Sequence, residues 1–315
     1  DLSNIFMKSI DLDSISGTIP ESLFATFQMT FAIITPALII GAFVERIKFS
    51  AMLIFISLWM LIVYVPVTHW VWGGGILSSW GTMDFAGGIV VHATAGTAAL
   101  ITALTLGKRR GFPKSITPPH SPILTMIGAA MLWVGWFGFN AGSALGANGG
   151  AGMAMLVTHI SASMAALVWM FIEWKRFGKP SLIGVVTGMV AGLATVTPAS
   201  GYIGIPGGLV LGFSGGLLCY LAVDYIRGKL LIDDSLDVFA VHGVGGILGT
   251  LLVAFLATST FSGLGLPEGQ TAMSQFVVQI KAVVLTVIWT SIFTYLILKV
   301  TSLIVPLRVD EQEEI

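Results

Sequence analysis

The chain has 315 residues, of which 10% are charged and 55% hydrophobic, with a formal net charge of −1. A soluble domain carries roughly 25% charged residues, so this composition excludes a water-soluble globule, a disordered chain and a basic nucleic-acid-binding face. With a mean hydropathy of +0.92, it reads as a polytopic membrane protein.

The single cysteine, Cys219, rules out an internal disulfide and reads as a small buried apolar residue. The opening stretch, residues 1–20, is polar, lacks an initiating Met and has the pattern of neither a signal peptide nor a targeting segment. The sequence predicts that it lies outside the membrane and that the chain begins partway into a longer protein.

A spanning helix needs about 20 mostly apolar residues. Nine segments qualify: 21–44, 51–71, 85–106, 121–142, 150–172, 181–198, 206–226, 237–258 and 273–304. The last exceeds the membrane thickness and is expected to tilt, kink or protrude. The connections after spans one, three, five and seven, together with Arg308 in the tail, hold 12 of the 15 basic residues. The connections after spans two, four, six and eight hold none. The positive-inside bias then places the tail in the cytoplasm and residue 1 outside, an arrangement that needs an odd number of spans.

Two segments repeat. Asp84 precedes His92 by eight residues and Gly96 follows by four; Asp234, His242 and Gly246 have the same spacing. They open spans three and eight, which run in opposite directions. That is the mark of an inverted repeat with a five-helix unit. The second unit is complete in spans four to eight; the first shows three helices, so two are expected before residue 1.

Gly184, Gly188 and Gly192 share one face of span six, and Gly208, Gly212 and Gly216 share one face of span seven. Both faces predict close backbone packing.

An ionisable side chain inside a span is a functional candidate because its burial is costly. His92 and His242 come about eight residues into their helices, about 12 Å at 1.5 Å per residue and well inside the hydrocarbon, and a pseudo-two-fold axis brings their rings together. Two neutral imidazoles can share one hydrogen bond, relay a proton or accept one from a small polar solute. Satisfied core histidines are the alternative. Asp84, Asp234 and Asp237 read as helix caps, with Asp84 also placed to favour a cation at the outer edge. His159 reads as a core or interface residue, and His69 and His120 as interfacial or solvated. Glu45 beside Arg46, and Glu173 beside Lys175, read as membrane-edge charges.

Trp70, Trp72, Phe27, Phe31, Phe137 and Phe139 gather toward the outer side, with Asn140 and Ser143 close by. Such a cluster is either an aromatic belt or a cation–π site. No paired carboxylates, phosphate loop, nucleophile elbow or zinc spacing is present, so nothing suggests an enzyme, a cofactor or a metal.

The runs Phe27-Gln-Met-Thr-Phe31, His69-Trp-Val-Trp72-Gly-Gly-Gly, Asp84-Phe-Ala-Gly-Gly with His92 four residues on, Gly135-Trp-Phe-Gly-Phe139-Asn-Ala-Gly-Ser143, Thr197-Pro-Ala-Ser-Gly-Tyr and Asp237-Val-Phe-Ala-Val-His242-Gly resemble the ammonium transporter family, the Amt/methylammonium permease/Rhesus group, in its bacterial branch. The likeness covers almost the whole chain. It implies an all-α polytopic membrane protein with the ammonium-transporter fold: inverted five-helix repeats, nine spans of an expected eleven, and a homotrimer with one pore per subunit. It divides the chain into an extracytoplasmic segment 1–20, a transmembrane domain 21–304 and the start of a cytoplasmic tail, 305–315.

The resemblance further implies transport of ammonium, ammonia or methylammonium across a bacterial inner membrane. Trp72, Phe31 and Ser143 would recruit ammonium, and Asp84 would hold that site together. Phe31 and Phe139 would form the gate, and His92 and His242 the pore pair that relays protons while NH₃ passes. A PII-type signalling protein docks on the cytoplasmic face of many relatives. Pro306 here stands where the family usually has Gly, which weakens that expectation. Two other readings belong to the same scaffold: an ammonium sensor coupled to a cytoplasmic signalling domain, and a neutral-gas conduit of Rhesus type, against which Trp72 and Ser143 argue.

Overall fold

The computed structural model describes residues 5–115, 118–310 and 312–314. Residues 1–4, Glu311 and Ile315, at the edges of the predicted outer segment and tail, lie outside that set. Among the described residues two short strands, β1 (Ile15–Ser16) and β2 (Ile19–Pro20), pair antiparallel and lead into nine long helices.

The helices are α1 (Glu21–Ile40), α2 (Phe49–Ser79), α3 (Gly88–Leu106), α4 (Pro122–Gly142), α5 (Gly149–Phe177), α6 (Leu182–Val196), α7 (Ile205–Gly228), α8 (Phe239–Leu256) and α9 (Ala272–Ile304). Eight are long and apolar enough to cross a membrane. The exception is α6, whose 15 residues reach about 22 Å. Its buried continuation, Thr197–Ser200, extends the chain as turns rather than helix. Span one likewise stops at Ile40, short of the expected 44, and residues 41–46 are turns.

Helices α2, α3 and α8 are not uniform. Each contains a π turn, at Met60–Tyr64, Gly88–Ala93 and Phe239–Gly243. In α2 the helix also breaks at Gly73–Gly75 before a last turn, Ile76–Ser79. In α3 and α8 the π turn is followed by a 13-residue α-helical stretch in each case. The inverted repeat is thus matched by shape as well as by sequence.

Both glycine faces close on one helix. A Cβ at Gly188 or Gly192 would strike Trp169 or Ser161 of α5; a Cβ at Gly212 or Gly216 would strike Ser161 or Ala165, again on α5. Small residues replace the missing hydrophobic drive inside a bilayer by letting dispersion contacts form at close range. The three-helix slab α5–α6–α7 follows from this.

At the face rich in Lys and Arg, some charges, such as Glu45 and Arg176, stay exposed, while others are buried in a knot. Arg46, expected as an edge charge, is fully buried and pairs with Asp233 at 3.3 Å, while Arg109 bridges Asp233 and the more exposed Glu45 at 3.1 and 3.0 Å. The guanidinium of Arg46 also donates to the carbonyls of Ala42, Gly107 and Asp233. A single buried pair scarcely offsets its own desolvation; these carbonyls satisfy the two terminal nitrogens, while Nε is buried with no partner among the described residues. The tail joins this knot. Lys48 N donates to Leu307 O at 2.8 Å, Val309 N donates to Arg46 O at 2.9 Å, and Arg308 pairs with Glu314.

Candidate functional site

The site lies where α1, α2, α3, α4 and α8 meet. Its first part is an aromatic column. Phe27 meets Phe31 edge-on at 4.9 Å, Phe31 meets Trp72 edge-on at 5.4 Å, and Phe31 lies 4.3 Å from Phe139 at an interplanar angle of 41°. Phe31 is 1% exposed. The Phe31 and Phe139 rings thus pack against each other between Trp72 and His92. Ser143 sits one helical turn beyond Phe139 and donates to its carbonyl at 2.9 Å.

Trp72 is fixed by its indole N–H, which donates to Asp84 O at 2.8 Å. Trp70 packs instead against Trp289 at 4.9 Å. Both tryptophans are partly buried in the protein, not displayed as a belt.

Asp84 is a cap, and an unusually full one. Its carboxylate accepts the backbone N–H groups of Gly87, Gly88, Ile89 and Val90 at 2.9, 2.6, 2.8 and 3.1 Å. Those are the orphan donors of a helix start. Gly87, at φ 113°, supplies the left-handed turn that folds the amides back onto the carboxylate. All four bonds are internal, so no acceptor position on Asp84 faces a cation. This cap also shifts the depth of the histidine: α3 starts at Gly88, so half of the eight-residue offset is non-helical chain. The same holds for α8, which starts at Phe239, with Asp234 accepting from Phe239 N at 2.7 Å.

Beyond the phenylalanines the histidines meet. His92 Nδ1 and His242 Nδ1 are 3.2 Å apart, with ring centroids at 5.2 Å and planes 23° apart. Only one Nδ1 can carry the shared proton, so the rings are opposite tautomers, one Nε2 an N–H donor and the other a bare acceptor. His92 Nε2 is buried with no hydrogen-bond partner among the described residues. A cavity of about 40 Å³ abuts His92 and is otherwise walled by Ile34, Leu38, Val91, Leu132, Trp136 and Phe139 with Gly135. That is room for one or two molecules the size of water, with apolar walls.

The repeat explains why the rings can approach. A Cβ on Gly96 would sit 2.3 Å from Gly243 Cα, and one on Gly246 would sit 2.5 Å from His92 Cβ. The glycine four residues after each histidine lets the opposite helix in.

Sequence reading gave no role to Trp136, Gln275 or Gln279, and it noted Asn140 without a partner. Trp136 stacks on His92 at 5.3 Å and 16°, while its N–H donates to Thr197 Oγ1 at 2.9 Å. Its signal was its position three residues before Phe139, on the same face of α4. Asn140 is fully buried and donates to Thr158 Oγ1 at 2.9 Å. Gln275 and Gln279, two amides one turn apart in an apolar helix, are fully buried beside the Asp84 loop. His159 is exposed against Trp133 and Phe137, which leaves the interface reading and removes the core one. His69 and His120 are exposed, as expected, and Cys219 is buried. No group of three or more His, Cys, Asp or Glu side chains suited to a metal occurs among the described residues.

Membrane-length helices carrying an inverted repeat whose two π turns bring paired histidines beside an apolar cavity have the build of a membrane transporter. The sequence profile of the Ammonium Transporter Family matches residues 2–315, and the chain belongs to that family. It is 49% identical to the putative ammonium transporter of Methanothermobacter thermautotrophicus over 95% of this chain and 73% of that protein. Its fold is similar to that of Mep2 from Candida albicans, with a TM-score of 0.88, 34% identity, and coverage of 99% of this chain and 71% of that one. It is also similar to a protein called Sensor Amt Protein, with a TM-score of 0.86, 31% identity, and coverage of 92% and 74%. The family is one of transporters, not enzymes.

Proposed function

We propose that this chain recruits NH₄⁺ at the Trp72 end, strips it of a proton near the phenylalanine pair, and passes NH₃ through the apolar lumen past the histidines. Trp72 and Phe31 supply π faces, each worth about 0.5–2 kcal/mol to a desolvated cation, and the Ser143 hydroxyl supplies an acceptor. Asp84 acts through Trp72 and the helix start. Phe31 and Phe139 form the gate. Below it the walls offer an ion too little hydration to replace its own shell, so the neutral species passes. The displaced proton moves along the His92–His242 pair, one nitrogen accepting as the other donates, and recombines with NH₃ beyond it.

The single observation that carries this reading is the unbroken sequence of contacts Trp72–Phe31–Phe139–His92–His242. Methylammonium is small enough for the same route. The reading extends to a homotrimer in a bacterial inner membrane, with the Arg308 tail in the cytoplasm on the strength of the Lys/Arg bias, and to a PII-type partner on that face. Residues 21–304 form the transport unit, flanked by 1–20 and 305–315. Transport is favoured over sensing because relatives of higher identity carry the name of ammonium transporter.

The test is a transient current in proteoliposomes after an ammonium pulse. A saturable current is expected, abolished or altered in selectivity by His92→Ala and weakened by Trp72→Ala. No current, with ammonium still bound, would overturn transport.

A further inference from the structure

The loop from Gly81 to Phe85 is non-helical backbone buried inside a membrane protein, so each of its polar groups needs a partner. Leu77, Ser78, Trp72 and Pro198 hold some of them, and both groups of Met83 and the carbonyl of Gly81 are held by α9, the helix outside the inverted repeat. Gln279 Oε1 accepts Met83 N at 2.9 Å and Gln279 Nε2 donates to Met83 O at 2.7 Å. One side-chain amide thus holds both polar groups of a single residue. The same Nε2 donates to Thr250 O of α8 at 2.9 Å. Gln275 Nε2 donates to Gly81 O at 3.0 Å and to Gln279 Oε1 at 3.1 Å, which fixes the orientation of the inner amide. Both side chains are fully buried.

The clamped residue, Met83, immediately precedes Asp84. Asp84 uses its carbonyl to hold the Trp72 indole and its carboxylate to hold the start of the His92 helix. Thr250 lies eight residues beyond His242, on the helix that packs against Gly88. Gln279 therefore stands at the junction of the aromatic end and both histidine helices without touching the lumen.

We propose that Gln279, oriented by Gln275, is a positioning residue for ammonium recruitment: it sets the Asp84 loop so that Trp72 faces the incoming cation. This rests on the recruitment role of Trp72 proposed above. Losing the amide frees Met83 and lets Asp84 O move away from the indole. The effect falls on affinity, because the groups that line the passage below Phe139 keep their own supports. An amide is needed because it donates and accepts at once; an apolar isostere does neither.

The test is methylammonium uptake by the whole chain in proteoliposomes, with Gln279→Met, Trp72→Leu, the double variant and Gln279→Glu. Gln279→Met is expected to raise KM about tenfold, the worth of one buried hydrogen bond, with the maximal rate nearly unchanged, the pattern of lost uniform binding. The double variant is expected to match Trp72→Leu, since both changes act through one indole. Gln279→Glu, whose carboxyl in its protonated form still donates and accepts, is expected to restore KM to within about threefold in the pH range where it is protonated. An unchanged KM in Gln279→Met, or effects that multiply in the double variant, overturns the proposal while leaving the recruitment reading in place. An unchanged KM in Trp72→Leu removes both. If Gln279→Met yields no folded protein, Gln275→Leu carries the test: a rise in KM of about threefold, again absent in the Trp72→Leu background, supports the clamp, and no rise overturns it.

Discussion

The His92 half and the His242 half share a motif, a π turn and a following helix of the same length, yet their helix starts are built differently. Asp84 gives its whole carboxylate to four backbone N–H groups and has no basic partner. Asp234 sits in a charge knot with Arg46, Asp233, Arg227 and Asp237 around it. A helix cap can be made from hydrogen bonds alone or with the help of surrounding charge. The first holds the start of the His92 helix through backbone hydrogen bonds to Gly87, Gly88, Ile89 and Val90. The second ties the His242 helix to the basic face and, through Arg46 and Arg308, to the tail.

Removing each cap probes that contrast most strongly. Asp84→Ala strands four amides, each costing about 1–3 kcal/mol when left buried and unpaired. Loss of folded protein, read as recovery after size-exclusion chromatography, is expected. Asp234→Ala strands fewer groups, and a decrease in melting temperature with recovery retained is the expected result. Equal losses would show that the two starts carry the same load.

The shared element comes next. Gly96→Ala places a methyl against Gly243 backbone at 2.3 Å, which two packed helices can relieve only by separating. A destabilisation of about 1–3 kcal/mol, typical of overpacking, is expected, along with loss of transport current from any protein recovered. Gly135→Ala on the open face of α4 is expected to leave the melting temperature within a degree or two.

The smallest effect concerns Asp237. Burial pushes its carboxyl up to about 7, the neighbouring Asp234 and Asp233 add to the rise, and Arg227 and Arg109 oppose it. The folded chain therefore holds this proton more tightly than the unfolded one. Its contribution to stability is complete below about pH 4 and fades as pH rises toward 7. Asp237→Asn is expected to flatten the melting temperature between pH 5 and 8 by a few degrees, with the wild-type slope downward. A wild-type melting temperature that climbs over that interval would reverse the sign.

Much of this was legible because lipid makes sequence unusually plain. Nine apolar runs became nine helices, and the Asp–His–Gly spacing located the paired rings. The reason is physical: a bilayer forces helices, and an ionisable group within one needs a partner. The missed residues were those whose role depends on what crosses from elsewhere. Trp136 reads as one more aromatic until α3 brings His92 beneath it. Gln275 and Gln279 read as mildly polar interruptions until a non-helical loop from another part of the chain lies against them. Arg46 reads as an edge charge, and only the fold shows that three connections and the tail close over it.

The reciprocal glycine contacts have a consequence for inheritance. Gly96 rests on Gly243, and Gly246 rests on His92, so each copy of the repeat is the template against which the other is checked. A codon change that adds a single carbon in one half is judged by the other half, 150 positions away along the chain. At these contacts a bulkier residue in one half needs a compensating change in the other half of the same gene.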